Sequence, residues 1–229
     1  MNRYVVANWK SNKTLAESRH WLNRFLELHR PLPALKVIIA PAFPFLFPLH
    51  QMLVESKSDV RLASQDISSF PGGAYTGSVA AAMLREVVDF ALVGHSERRR
   101  WFHETNQDVA NKVAEARDVG ITPIVCIDQP YARTQLAALA DHDLGAIIIG
   151  YGPVEAVGVD VSPSPQRIVE AISEIKVLAP DSPILYGGSV NGKNAKEYMK
   201  IAGISGLMVA TASLDPEDFV DICQQISEE

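Results

Sequence analysis

The sequence predicts an α/β fold, a (β/α)8 barrel in which a closed parallel sheet is wrapped by outer helices. Two observations carry that expectation. Short apolar runs alternate with longer segments of helical period, the order expected when parallel strands need helical crossovers, and eight such pairs can be counted. The strand runs, such as Ala146-Ile147-Ile148-Ile149, are continuously apolar, which suits strands covered on both faces. An open doubly wound sheet satisfies both observations, and periodicity alone does not separate the two.

Strands are expected at Tyr4 to Ala7, Lys36 to Ala40, Val60 to Ser64, Phe90 to Val93, Thr122 to Ile127, Ala146 to Gly150, Pro183 to Tyr186 and Gly206 to Ala210. Helices are expected at Leu15 to Leu28, Pro44 to Val54, Val79 to Val87, Asp108 to Asp118, Ala132 to Ala140, Gln166 to Val177, Asn194 to Ala202 and Pro216 to Ile226. Ser164-Pro165 and Asp215-Pro216 are start signals, because proline in the first turn gives up no amide the helix needs. The 229 residues suit one barrel, which typically takes somewhat over 200. No linker, charge block or low-complexity stretch marks a second unit, so residues 1–229 are expected to form a single domain.

Composition narrows the function. Hydrophobic residues at 47% and charged residues at 21% can fill a large core beneath a polar surface. A formal charge of -6 argues against a nucleic-acid or anionic-membrane partner, which calls for a basic field. A small anion is still a possible ligand, since a few cations and backbone amides suffice to hold it. Cys126 and Cys223 have no metal-like spacing, and no apolar run reaches the 18 or so residues of a membrane span. The opening Met1-Asn2-Arg3 runs into a strand-like segment without a signal-peptide pattern. A cytoplasmic protein is expected.

In a parallel barrel every strand's carboxyl end and following loop lie on one face, where sites assemble. Asn8-Trp9-Lys10, Gln65-Asp66, Gly94-His95-Ser96-Glu97-Arg98-Arg99, Gly187-Gly188-Ser189-Val190 and Ala212-Ser213-Leu214 fall there. Lys10 offers a compact cation and His95 a proton-handling group near neutral pH. Gly187-Gly188-Ser189 lets backbone amides approach an oxyanion. The bland alternatives stand beside these: a solvated lysine, a histidine that caps the next helix, a turn at the glycines, and a solvated or ion-paired face for Arg98-Arg99-Arg100.

Taken in order, Asn8-Trp9-Lys10, Gly73-Ala74-Tyr75-Thr76-Gly77, Val93-Gly94-His95-Ser96-Glu97-Arg98-Arg99, Thr122-Pro123-Ile124-Val125-Cys126 and Tyr186-Gly187-Gly188-Ser189-Val190 closely resemble the triosephosphate isomerase family, from Arg3 to about Ile222. The resemblance implies the closed TIM barrel and a metal-free, cofactor-free aldose-ketose isomerase acting on a phosphosugar through an enediol(ate). That family is itself the standard example of a glutamate base, a neutral histidine electrophile and a closing loop. Carried over by motif, Asn8 and Lys10 contact substrate, His95 polarises its carbonyl and Glu97 supports the site. Ser189 contacts phosphate, as does the amide of Gly158 from the lid. The stretch Gly72 to Gly77 resembles the loop that enters a neighbouring subunit's site, which implies a homodimer or a dimer of dimers.

Two departures fall on the chemical face. Where the family shows Tyr-Glu-Pro after strand six, with the glutamate as base, this chain has Tyr151-Gly152-Pro153. Where the family places Gly-Gly at the phosphate after strand eight, it has Ala210-Thr211. Glycine holds no proton acceptor, and a positioned base is worth about 10² to 10⁴ in rate, so impaired or altered catalysis, or an inactive descendant that binds a phosphorylated metabolite or serves structurally, is expected. Glu155 lies up to roughly 10 Å of extended chain beyond Gly152 and reads as a lid or hinge residue. Asp160 adds negative charge to the lid. The short connection from Asp128 to Gly145 resembles compact family members that assemble beyond dimers.

Overall fold

The computed structural model describes residues 3–32, 34–153 and 164–227. Eight parallel strands, β1 (Arg3–Asn8), β2 (Leu35–Ala40), β3 (Arg61–Ser64), β4 (Phe90–Val93), β5 (Thr122–Ile127), β6 (Ile148–Tyr151), β7 (Ile184–Tyr186) and β8 (Ile204–Val209), pair in chain order, and β8 closes onto β1. Closure excludes the open doubly wound sheet. Its tightest point is Gly206, where a Cβ would run into the Tyr4 carbonyl, so only glycine lets the last strand reach the first.

The helices are α1 (Leu15–Leu28), α2 (Phe43–Glu55), α3 (Ala81–Leu84), α4 (Ser96–Trp101), α5 (Asn106–Asp118), α6 (Ala132–Ala137), α7 (Pro165–Leu178), α8 (Ala195–Met199) and α9 (Pro216–Ser227). Local chemistry starts the longer ones. Thr14 with Glu17, and Thr105 with Asp108, form reciprocal caps on α1 and α5, each satisfying amides that a helix start leaves open. On α1 the residues Trp21, Leu22 and Phe25 are buried. Trp21 stacks on Phe25, and Phe219 of α9 tilts against the pair at 5.9 and 5.6 Å. Each such side chain contributes about 1.5–3 kcal/mol on burial, which is what seats α1 and α9 on the sheet.

Period-two alternation splits the core into two layers. Val6, Ile38, Ile124, Cys126, Ile148, Leu185 and Met208 fill the barrel interior, while Val5, Val37, Val125 and Ile149 pack outward beneath the helices.

The boundaries differ from the sequence expectation in a few places. β6 begins at Ile148, because residues 144–146 form a 3-10 turn in which Asp143 accepts the Gly145 amide at 3.0 Å. β8 ends at Val209, because Ala210 leaves the extended region with φ -101° and ψ -93°. The expected helices at Val79 to Val87, Ala132 to Ala140 and Asn194 to Ala202 shrink to α3, α6 and α8, none of which has a side-chain hydrogen bond at its N-cap. Helix α4 is the helix that the capping reading of His95 implies; it has no place among the periodic helices because its Ser-Glu-Arg-Arg-Arg-Trp sequence buries no residue and so carries no apolar period.

Candidate active site

Continuing the alternation shows what lines the carboxyl end of the barrel. Cys126 and Gly150 face one another in register, and Val6, Cys126 and Met208 point inward. Two residues further along each chain, the same side is presented by Asn8, Asp128, Gly152 and Ala210. All four line one cavity of about 390 Å³, together with Lys10 and His95.

Lys10 is held in an unusual backbone conformation, with φ at 50°. A non-glycine residue there costs of order 1–3 kcal/mol and persists only when its surroundings hold it. Here the Lys10 amide donates to Asn8 Oδ1 at 3.0 Å, and its carbonyl accepts from Gln65 Nε2 at 2.8 Å. The same Gln65 nitrogen donates to the Ala40 carbonyl at 2.8 Å, tying the loop after β1 to the end of β2. The side chain extends to Glu97, with Nζ to Oε1 at 2.7 Å. A partly exposed pair of this kind stabilises by about 0–1 kcal/mol, so its consequence is orientation of the ammonium group.

His95 is both a helix cap and a site residue. It is the N-cap of α4, and its Nδ1 accepts the Glu97 amide at 3.2 Å. An accepting Nδ1 carries no proton, so the neutral ring holds its hydrogen on Nε2 and is a donor there. Burial lowers the His95 pKa, and the nearby Glu97 carboxylate only partly opposes this. The ring is therefore neutral at pH 7. Its folded pKa lies below that of the unfolded chain, so the associated stability is full above pH ~6.5 and is lost as pH falls toward the folded value. Between pH 7.5 and 5.5, chemical denaturation is expected to show a larger loss of unfolding free energy for the natural chain than for a His95→Gln variant, whose side chain does not titrate. Equal losses would contradict a depressed His95.

Behind the histidine lies a buried charge cluster. Glu104 Oε2 meets Arg98 Nε at 2.8 Å, and Glu104 Oε1 meets Lys112 Nζ at 3.2 Å. Asp66 closes the set, at 2.7 Å from Arg98 and 2.6 Å from Lys112. Glu104 Oε1 also accepts the Gly94 amide at 3.1 Å. The cluster thus fixes the turn that presents His95, and Arg98 belongs to it as an ion-paired residue.

The remaining expected residues divide by position. Ser189, Ala210 and Thr211 line the cavity with Gly152. The Ser189 carbonyl accepts from Asn194 Nδ2 at 2.8 Å, and the Ala210 carbonyl accepts from the Ser213 amide and hydroxyl at 2.9 and 2.7 Å. Glu97 reaches the site through its ion pair with Lys10. Gly158, Glu155 and Asp160 lie outside the described residues. The stretch Gly72 to Gly77 is exposed, with Tyr75 stacked on Phe70 at 4.6 Å. Asp128 is a further lining residue, standing in the sequence at the start of the connection from Asp128 to Gly145. Carrying the inward series of β5 one step past Cys126 would have found it.

Comparison with known proteins identifies the family. The family described as triosephosphate isomerase matches residues 3–226. The triosephosphate isomerase of Aquifex aeolicus is 35% identical, across 97% of this chain and 98% of its own. Those of Dehalococcoides mccartyi (strain BAV1) and Thermus thermophilus are 37% and 38% identical, over 98% and 96% of this chain and 97% of theirs. With a closed eightfold barrel and a match over nearly its whole length, the chain belongs to the triosephosphate isomerase family.

Proposed function

We propose that this chain is a cofactor-independent aldose-ketose isomerase that interconverts glyceraldehyde 3-phosphate and dihydroxyacetone phosphate, slowed because Gly152 stands where the family places its glutamate base. The observation that carries the reading is the pairing, on one cavity, of a neutral His95 with a Lys10 ammonium held by Glu97. In this reading Asn8 and Lys10 hold the substrate oxygens and phosphate by hydrogen bonds and charge. His95 donates its Nε2 hydrogen to the carbonyl oxygen, where negative charge develops in the transition state. Ser189, Ala210, Thr211 and the amide of Gly158 contribute phosphate contacts. Ala210 and Thr211 put side chains where the family has glycines, which weakens that part of the grip. The exposed stretch Gly72 to Gly77 enters a neighbouring copy, giving a homodimer or a dimer of dimers. Both cysteines are buried and free, in keeping with a reducing cytoplasm, and no helix among the described residues is long and apolar enough to cross a membrane.

The test is proton NMR of dihydroxyacetone phosphate incubated with the protein in deuterium oxide. Glyceraldehyde 3-phosphate is expected to form, with deuterium entering at C1 of dihydroxyacetone phosphate, at a rate above that of a His95→Gln control. The second reading, a non-catalytic binder of a phosphorylated metabolite, is favoured by the coincidence of Gly152 and Ala210-Thr211 on the chemical face. It predicts calorimetric binding of glycerol 3-phosphate without any exchange.

A further inference from the structure

We propose that Asp128 is the base of this barrel, taking over from the neighbouring strand the proton transfer for which Gly152 has no group. The proposal rests on the isomerase reading given above.

Three features of the fold carry it. The first is register: Cys126 pairs with Gly150 and Ile127 with Tyr151, and the Gly152 amide continues the ladder by donating to the Ile127 carbonyl at 3.2 Å. Asp128 and Gly152 are therefore lateral neighbours at the ends of β5 and β6, on strands that lie about 4.8 Å apart. The second is direction. Cys126 is an interior residue and Ile127 packs outward, so Asp128 turns inward, and it lines the same cavity as His95, Lys10 and Gly152.

The third feature is how the carboxylate is held. Asp128 is only 6% exposed, which is costly for a charge without a reason. Gln135 fixes it from α6, accepting the Asp128 amide at 2.8 Å on Oε1 and donating from Nε2 to Oδ2 at 3.3 Å. Oδ1 accepts no hydrogen bond from any described side chain or amide, which leaves one oxygen for a ligand. Burial also raises the Asp128 pKa, the direction a carboxylate needs in order to accept a carbon-bound proton near neutral pH.

The step balances within the substrate. Asp128 takes a proton from C1 of dihydroxyacetone phosphate, and the C–H electron pair becomes the C1–C2 double bond. The carbonyl π pair moves onto O2, which receives the hydrogen bond from His95 Nε2. The hydroxyl proton of O1 passes to O2, the C1 carbonyl forms, and C2 takes the proton back from Asp128. The carboxylate is regenerated and no external oxidant or reductant is involved.

An Asp128→Asn variant tests this, because the amide keeps the shape and can still accept from Gln135 but is no base. Its kcat is expected to fall by about 10²-fold, together with deuterium incorporation at C1, while its melting temperature and its affinity for glycerol 3-phosphate stay close to those of the natural chain. Asp128→Ser offers the same test should the Asn variant not fold. Adding Gly152→Glu to either variant is expected to recover turnover, which a purely structural role for Asp128 would not permit. Natural-level turnover in a folded Asp128→Asn or Asp128→Ser variant would overturn the proposal and leave the isomerase reading standing. A natural chain no faster than the His95→Gln control would remove both.

Discussion

A glutamate installed at position 152 is expected to raise kcat for triosephosphate interconversion about 10²-fold over the natural chain. Gly152 borders the cavity, so a side chain there has open space beside it. By the alternation that turns Gly150 toward Met208, the new side chain enters from the inward face of β6. A general base supplies about 10² to 10⁴ in all, and a displacement near 1 Å costs about 10². Asp128, one strand away, is expected to deliver the lower part of that range and the restored glutamate the remainder. KM should change little, because Lys10, His95 and Ser189 are untouched. Steady-state kinetics of the purified variant checks this. An unchanged kcat would mean that proton abstraction does not limit this barrel.

The second large effect is on stability. Truncating Glu104 to alanine leaves Arg98 and Lys112 with Asp66 as their remaining carboxylate partner in the cluster, and strips the Gly94 amide of its acceptor. Glu104 is 8% and Lys112 5% exposed, so the stranded charge is a buried one. Breaking such a pair from one side costs about 3–5 kcal/mol. A protein of this size loses about 2–4 °C of melting temperature per kcal/mol, so calorimetry is expected to record a fall of about 10 °C. Turnover should fall as well, since Gly94 immediately precedes His95. A melting temperature within a degree of the natural chain's would show that the cluster braces nothing.

The strands could be read in the sequence because a sheet buried on both faces leaves an apolar run whose length is its own signal. Phe90 to Val93 and Thr122 to Ile127 were placed to the residue. Barrel closure could not be read that way: it depends on Gly206 passing the Tyr4 carbonyl, a contact between residues far apart in the chain. Helix α4 leaves only its cap residue as a signal, because its side chains serve charge pairing and not the core. For His95, the cap and the site residue looked like competing readings in the sequence. The structure makes them one, because the cap that occupies Nδ1 sets the donor on Nε2. Asp128 escaped notice because a charged residue after an apolar strand usually begins a loop, and only the shared register of β5 and β6 sets it beside Gly152.

One spectrum decides most between a working isomerase and a silent relative: proton NMR of dihydroxyacetone phosphate with the natural protein in deuterium oxide. Loss of the C1 proton signal with parallel appearance of glyceraldehyde 3-phosphate, faster than with His95→Gln, is the expected result. A C1 signal that decays no faster than in that control would contradict proton transfer at this site.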